Sequence, residues 1–357
     1  MPMNQAVGVA MKPLSSLAVV VIFALAARAQ ASNTLLAMGA SADGTSVSGL
    51  SSGAFMAEQY QVAYSASVIG AGIVAGGPYY CAAGQVYSNI ANIGSCMGTP
   101  FTTPLYTPWM VAVTRSFSAY GDIDPIANLK KRRIYVFSGT NDKVVYQPAV
   151  NSTVAFLKGI GVASANLVYV NKVPSGHALL TPAFGNRCAV NDTPYISRCT
   201  VKEQAYDQPG AIFTHIYGKL NPPAKTRTGQ LLTFNQREFA ADSTSMADDA
   251  YVYVPASCSA GTSCKVHVAF HGCLQSAQYV QDDFYGKSSY NDWADNNGII
   301  VLYPQVNKSE PLNPKGCWDW VGYTGPSYAF KNGPQMKAVH AMIERLKSAP
   351  SGAVAMH

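Results

Sequence analysis

The chain has 357 residues, 48% of them hydrophobic and only 12% charged, which fits a compact globular body and excludes a disordered chain. That length accommodates one large α/β domain or two small ones. The formal net charge of +6 is too small and too scattered to suggest a nucleic-acid partner.

Residues 1–31 read as a secretory signal. Lys12 gives the positive start, residues 17–27 form an unbroken apolar run, and Ala27-Arg28-Ala29 and Ala29-Gln30-Ala31 are small-x-small cleavage sites. The run is short for a membrane span, which leaves an uncleaved anchor as the alternative, and no later stretch is apolar enough to cross a bilayer. Cleavage removes Lys12 and Arg28 and no acid, so the charge falls from +6 to +4. The mature chain, 32–357, is expected outside the cytoplasm, extracellular or periplasmic, with no membrane partner. Eight cysteines behind such a signal read as four disulfides. Connectivity stays open, although pairing neighbours would join Cys81 to Cys96, Cys188 to Cys199, Cys258 to Cys264 and Cys273 to Cys317. No Cys-x-x-Cys occurs, so no metal site is expected.

Residues 45–48 are β-prone and lead into Gly49-Leu50-Ser51-Ser52-Gly53; residues 54–64 are helix-compatible. Strand, Gly-x-Ser-x-Gly and helix make a nucleophile elbow, where a strained turn lifts the Ser51 hydroxyl out of the chain. A plain Gly/Ser loop is the alternative in a chain with 30 glycines. A strand is expected over 67–75, ending near Tyr79 and Tyr80. Residues 81–128 read as a disulfide-held insertion with at most one helix. Residues 132–138 form a buried strand ending in Gly139-Thr140-Asn141-Asp142. A helix over 148–160 and a strand over 166–170 follow, then the loop Pro174-Ser175-Gly176-His177.

Strands and helices alternate, and polar residues stand just beyond the strand ends, where open parallel sheets place their chemistry. The chain order Ser51, Asp142, His177 is that of the α/β-hydrolase arrangement. A serine hydroxyl needs a base to take its proton; an imidazole titrating near neutrality serves, and a carboxylate holds its other nitrogen. Asp122 and Asp124 compete with Asp142 but follow no clear strand, and Asp142 could merely cap a turn. His215 and His340 fall in helix-like segments and His267 within a strand, which favours His177.

A Pro-rich basic stretch, 221–227, could be a domain linker. Beyond it, strands are expected over 230–234, 250–254 and 265–270, the last ending in His271-Gly272-Cys273. A His-Gly pair there is suited to half an oxyanion hole, with Ser52 N–H as the other donor. A helix over 289–296, a strand over 299–303, the loop Cys317-Trp318-Asp319-Trp320 and a helix over 335–347 complete the chain. In the usual order the His-Gly strand precedes the elbow; here it follows by about 220 residues. A circular permutation of one domain would produce that order, because domain termini lie close together. The expected fold is therefore a single-domain, circularly permuted α/β-hydrolase with a mostly parallel central sheet and helices on both faces. Two domains, each with half a sheet, would leave neither half with a complete site.

Gly-Leu-Ser-Ser-Gly, Ser-Gly-Thr-Asn-Asp, Pro-Ser-Gly-His, His-Gly-Cys and Gly-Cys-Trp-Asp-Trp, in that order, resemble the secreted short-chain polyhydroxyalkanoate (PHB) depolymerases of the circularly permuted type, over roughly 35–347. The resemblance implies Ser51 as nucleophile, Asp142 as acid and His177 as base. It implies the backbone N–H groups of Ser52 and Cys273 as oxyanion donors, a Cys273–Cys317 disulfide, and Trp320 lining the polymer crevice. It implies an esterase acting on poly(3-hydroxybutyrate) or its oligomers without cofactor. Carbohydrate-acyl esterases and an inactive polymer-adsorbing protein are the alternatives. Many bacterial members carry a separate polymer-binding domain, for which this chain leaves no room, so the expectation is a monomer that adsorbs through its own surface. Tyr79, Tyr80, Tyr106 and Trp109 are the candidate contacts.

Overall fold

The computed structural model describes residues 33–83, 90–259 and 262–350, with residues 90–92 as backbone only; the expected signal segment lies outside the described residues. Eight strands form the central sheet: β1 (Thr45–Leu50), β2 (Val68–Val74), β3 (Arg133–Phe137), β4 (Leu167–Val170), β5 (Gln230–Asn235), β6 (Asp249–Val254), β7 (Lys265–Phe270) and β8 (Ile299–Tyr303). Their spatial order is β5-β6-β8-β7-β1-β2-β3-β4. The chain enters mid-sheet at β1, walks to one edge, then crosses to the far edge and returns to lay β7 beside its own start. Strands β8, β7, β1, β2, β3 and β4 run parallel, while β6 is antiparallel to both β5 and β8. Read from the antiparallel edge, the His-Gly strand β7 precedes the elbow strand β1, which is the α/β-hydrolase order with the chain cut open before β1.

Strands β8, β7, β1, β2 and β3 are buried almost throughout because helices cover both faces. Every residue of β1 and β8 is buried. The helices include α1 (Ser52–Ala63), α2 (Thr107–Tyr120), α3 (Gln147–Gly159), α4 (Gln208–Tyr217), α5 (Tyr290–Asp295) and α6 (Pro334–Lys347). Helix α1 is buried on all sides, as the central helix under an elbow must be. Its mid-helix Glu58 is fully buried, and burial pushes that carboxyl well above its ordinary range. The N-terminal segment is stitched to the C-terminal helix: Met38 and Ala40 N–H both donate to Leu346 carbonyl.

Residues 221–227 are no free linker. Asn221 bonds with Asn296 and Asn297, Arg227 pairs with Asp292 at 2.6 Å, and Asp295 accepts from Thr228 and Gly229 N–H. All described residues fall in one unit, Ser32–His357.

The insertion departs from expectation. It holds two helices, Ile90–Met97 and α2, instead of at most one. In α2, Pro108 sits in the first turn, where a missing N–H costs nothing, and Gly121 closes the helix at φ 83°. Met110 and Thr114, one turn apart, are its buried residues. Arg115 is the one charged residue of this helix, so no charged stripe marks its outer face. Short strands between 179 and 205 were likewise unanticipated. The four disulfides join Cys81–Cys96, Cys188–Cys199, Cys258–Cys264 and Cys273–Cys317.

Candidate active site

Parallel strands deliver their C-terminal ends to one edge of the sheet. Ser51 follows β1, Asp142 lies beyond β3, His177 beyond β4 and Cys273 beyond β7. Ser51 adopts φ 58° and ψ −124°, a conformation that costs a residue with a Cβ about 1–3 kcal/mol. It stands at the N-cap of α1, where serine normally bonds the helix's first amides, yet its hydroxyl makes no capping bond. The strain is held by its backbone: its N–H donates to Val74 carbonyl at 3.0 Å, and its carbonyl accepts from Ala54 and Phe55. The flanking glycines are demanded by close approach. A Cβ on Gly49 would fall 2.2 Å from Gly53 oxygen, and one on Gly53 would fall 2.3 Å from Phe270 oxygen. The elbow thus presses against the end of β7.

Asp142 and His177 are both buried, and His177 Nδ1 lies 2.8 Å from Asp142 Oδ2. A carboxylate only accepts, so Nδ1 carries the hydrogen and Nε2 is left as an acceptor. Asp142 Oδ1 is fixed by the N–H groups of Val144 and Val145, each at 2.9 Å. Asn191 joins the two loops: its Oδ1 accepts from Lys143 and His177 N–H, and its Nδ2 donates to Asn141 carbonyl. The Tyr195 ring meets the imidazole edge-on, with centroids 5.8 Å apart.

The competing residues lie elsewhere in the hydrogen-bond pattern. Asp124 pairs with Lys331 and Ala66 N–H. His340 stacks on Tyr64, and His215 bonds Asn166 carbonyl. His267 is bracketed by Ser46 and Ser48 at 2.6 and 2.7 Å, and burial pushes its imidazole down to about 3.

Back-half residues meet Ser51 directly: a Cβ placed on Gly272 would lie 3.4 Å from Ser51 Cβ. Gly272 is gripped on both sides. His271 Nδ1–H donates to its carbonyl at 2.7 Å, and its N–H donates to Gln275 Oε1 at 2.7 Å. Val306 N–H fills His271 Nε2, and burial pushes that imidazole down to about 4. A carbonyl and the following N–H point oppositely across a trans peptide, so holding Gly272 carbonyl aims Cys273 N–H away from His271. The Ser52 N–H, first in α1, has no partner within its own helix.

The Cys273–Cys317 disulfide brings the tryptophan loop alongside, and Trp318 N–H donates to Ser52 Oγ at 3.3 Å. Asp319 organises that loop, accepting from the N–H groups of Val321, Gly322, Tyr323 and Thr324. Burial pushes its carboxyl up against the opposing pull of these donors. Trp320 stacks on Phe55 of α1 at 4.4 Å.

The tyrosines divide. Tyr106 and Trp109 are exposed and line a cavity of about 380 Å³ with Leu105 and Met110. Tyr80 is half-buried against Phe117, Tyr328 and Phe330. Tyr79 corrects the expectation of a surface contact: it is 1% exposed, stacks on Phe156 and donates to Ala329 carbonyl. Asn191, Gln275 and Asp319 were not singled out from the sequence; Asn191 and Gln275 bond backbone that only the fold brings near, while Asp319 organises its own loop.

The sheet and the elbow define an α/β-hydrolase. No family model matches the chain. It is 42% identical over 313 residues to a poly(3-hydroxybutyrate) depolymerase of Delftia acidovorans, covering 86% of this chain and 60% of that protein. It is 38% identical over 351 residues to a polyhydroxybutyrate depolymerase of Talaromyces funiculosus, covering 93% and 97%. The chain therefore spans about three-fifths of the bacterial relative and nearly all of the fungal one. The crystal structure of PHB depolymerase from Penicillium funiculosum superposes with a TM-score of 0.79 at 36% identity, covering 88% of this chain and 99% of that one. A serine-to-alanine PHB depolymerase complexed with R3HB trimer matches equally. The chain belongs to the PHB depolymerase family.

Proposed function

We propose that this chain is a secreted serine esterase that cleaves ester bonds of poly(3-hydroxybutyrate) or its oligomers. The observation that carries the reading is the meeting of the uncapped Ser51, from the front of the chain, with Gly272 from the back, on the sheet edge that also bears the Asp142–His177 pair.

Ser51 Oγ attacks the ester carbonyl while His177 Nε2 takes its proton. Asp142 holds the imidazolium that forms. The carbonyl oxygen becomes an alkoxide between Ser52 N–H and Cys273 N–H, a contribution of several kcal/mol to the barrier. Collapse expels the hydroxyl end of the chain, which takes the proton from His177 and leaves an acyl group on Ser51. Water, deprotonated by His177, then attacks the acyl carbonyl and regenerates Ser51. Trp320, against Phe55, lines the path of the polymer. No metal or organic cofactor enters any step.

An uncharged polyester offers no ionic handle, and residues 59–114 contain no charged side chain. Within that stretch Phe101, Tyr106 and Trp109 are exposed, and they are the proposed adsorbing surface. Residues 1–31 act as the export signal, and the four disulfides suit an oxidising compartment.

The test is product release from 3-hydroxybutyrate polymer and oligomers, wild type beside Ser51→Ala, with a feruloyl ester as competing substrate. Hydroxybutyrate products from the wild type alone support the reading. Equal release by both proteins removes Ser51 from the chemistry, and turnover confined to the feruloyl ester moves the substrate to carbohydrate esters.

A further inference from the structure

The buried side chain of Gln275 touches both halves of the site. Its Oε1 accepts from Gly272 N–H at 2.7 Å. Its Nε2 donates to Pro194 carbonyl at 2.8 Å and to Tyr195 carbonyl at 3.1 Å. Both amide hydrogens and the oxygen are used, and the side chain has no exposed surface. A flipped amide would set NH₂ against N–H and oxygen against two carbonyls, so the partners dictate one orientation.

Each partner adjoins a different part of the chemistry. Gly272 immediately precedes Cys273, whose N–H is the proposed back-half oxyanion donor. Tyr195 sets its ring edge-on against His177, and its carbonyl also accepts from Leu179 N–H at 2.9 Å, two residues beyond His177. Tyr195 holds φ 56°, so its conformation depends on such outside support.

We propose that Gln275 is a positioning residue that locks the oxyanion loop to the segment carrying the base, so that Cys273 N–H and the His177 ring keep one geometry about Ser51. The inference rests on the nucleophile and oxyanion reading above. A carboxyl at this place discriminates: ionised, it still accepts from Gly272 N–H but repels the two carbonyls; protonated, it regains one donor.

The test compares Ser51→Ala, Gln275→Glu and Gln275→Met with wild type on a soluble short-chain nitrophenyl ester from pH 5 to 9. Melting curves identify folded variants. For Gln275→Glu at pH 8, kcat falls about 10- to 100-fold, short of the full loss of an oxyanion donor, while KM stays within about twofold. The deficit relative to wild type narrows at least about threefold towards pH 5, as the carboxyl takes up its proton. Gln275→Met, of similar volume, shows the kcat loss without the narrowing, and it carries the kcat test should the glutamate variant not fold. A folded Gln275→Met with kcat within about twofold of wild type overturns the proposal. So does a Gln275→Glu deficit that does not change with pH. Activity surviving in Ser51→Ala overturns the underlying reading instead, whatever the Gln275 variants do.

Discussion

The front of the chain, 45–177, and the back, 265–320, build the site by different means. In the proposed site the front supplies the reacting side chains, a hydroxyl, a carboxylate and an imidazole, each just beyond a parallel strand, together with the Ser52 N–H. The back supplies backbone amides and a tryptophan loop, and its side chains aim them: His271 and Gln275 on Gly272, Asp319 on residues 321–324, and the Cys273–Cys317 disulfide between the two loops. His177 and His271 condense the contrast. The first faces a carboxylate and keeps one nitrogen as acceptor; the second bonds only backbone, and burial keeps it neutral. Environment, not residue type, separates the proposed proton carrier from a strut.

If that division holds, front and back substitutions fail differently. His177→Ala, or Asp142→Asn, should lower kcat on a soluble ester by about 10⁴-fold with melting temperature within a few degrees of wild type. A comparable fall in both would erase the distinction. Replacing Cys273 and Cys317 together by alanine should do the reverse, costing about 2–5 kcal/mol in denaturant unfolding with a smaller kcat loss, because Cys273 N–H remains.

The buried histidines sharpen the contrast by pH. His267 and His271 are depressed by burial, to about 3 and about 4. The unfolded chain takes up their protons from about pH 6.5 downward, whereas the folded chain does so only near those lower values. Their contribution to stability is therefore complete above pH 6.5 and lost as pH falls towards 4, by the order of a few kcal/mol. Urea midpoints across pH 4–7 measure it, and His271→Gln should flatten part of the slope.

Glu58 has the opposite sign. Its carboxyl is raised by burial, so its contribution is full below about pH 4.5 and is lost as pH rises through the folded value. Glu58→Gln should raise stability by about 1–2 kcal/mol at pH 8 and have little effect at pH 4, read from the same urea curves. A destabilised glutamine variant at pH 8 would mean that the carboxyl is held ionised.

Much of this was legible. Gly49 and Gly53 announce the elbow because no Cβ fits there, and Asp142 and His177 each close a recognisable strand-and-loop pattern. The permuted order could be read because β7 carries its own His-Gly signature far from Ser51. What escaped has physical causes. Residues 59–114 lack charge and α2 carries only Arg115, so neither sequence stretch has the run of charges that marks a solvent-facing helix. The strands between 179 and 205 are two or three residues long, too short for an alternation to register. Tyr79 looks like its neighbour Tyr80 in sequence, but only Tyr79 is enclosed by Phe156 and Ala329. Gln275 and Asn191 reach backbone across long stretches of chain, and no local pattern encodes such bonds.

The most direct measurement is a crystal structure of the protein inactivated by a phosphonate ester, whose tetrahedral phosphorus bears an oxygen in the place of the alkoxide. The account predicts phosphorus on Ser51 Oγ and that oxygen within about 2.7–3.1 Å of both Ser52 N and Cys273 N. Phosphorus bound elsewhere, or an oxygen turned away from Cys273 N, would contradict it.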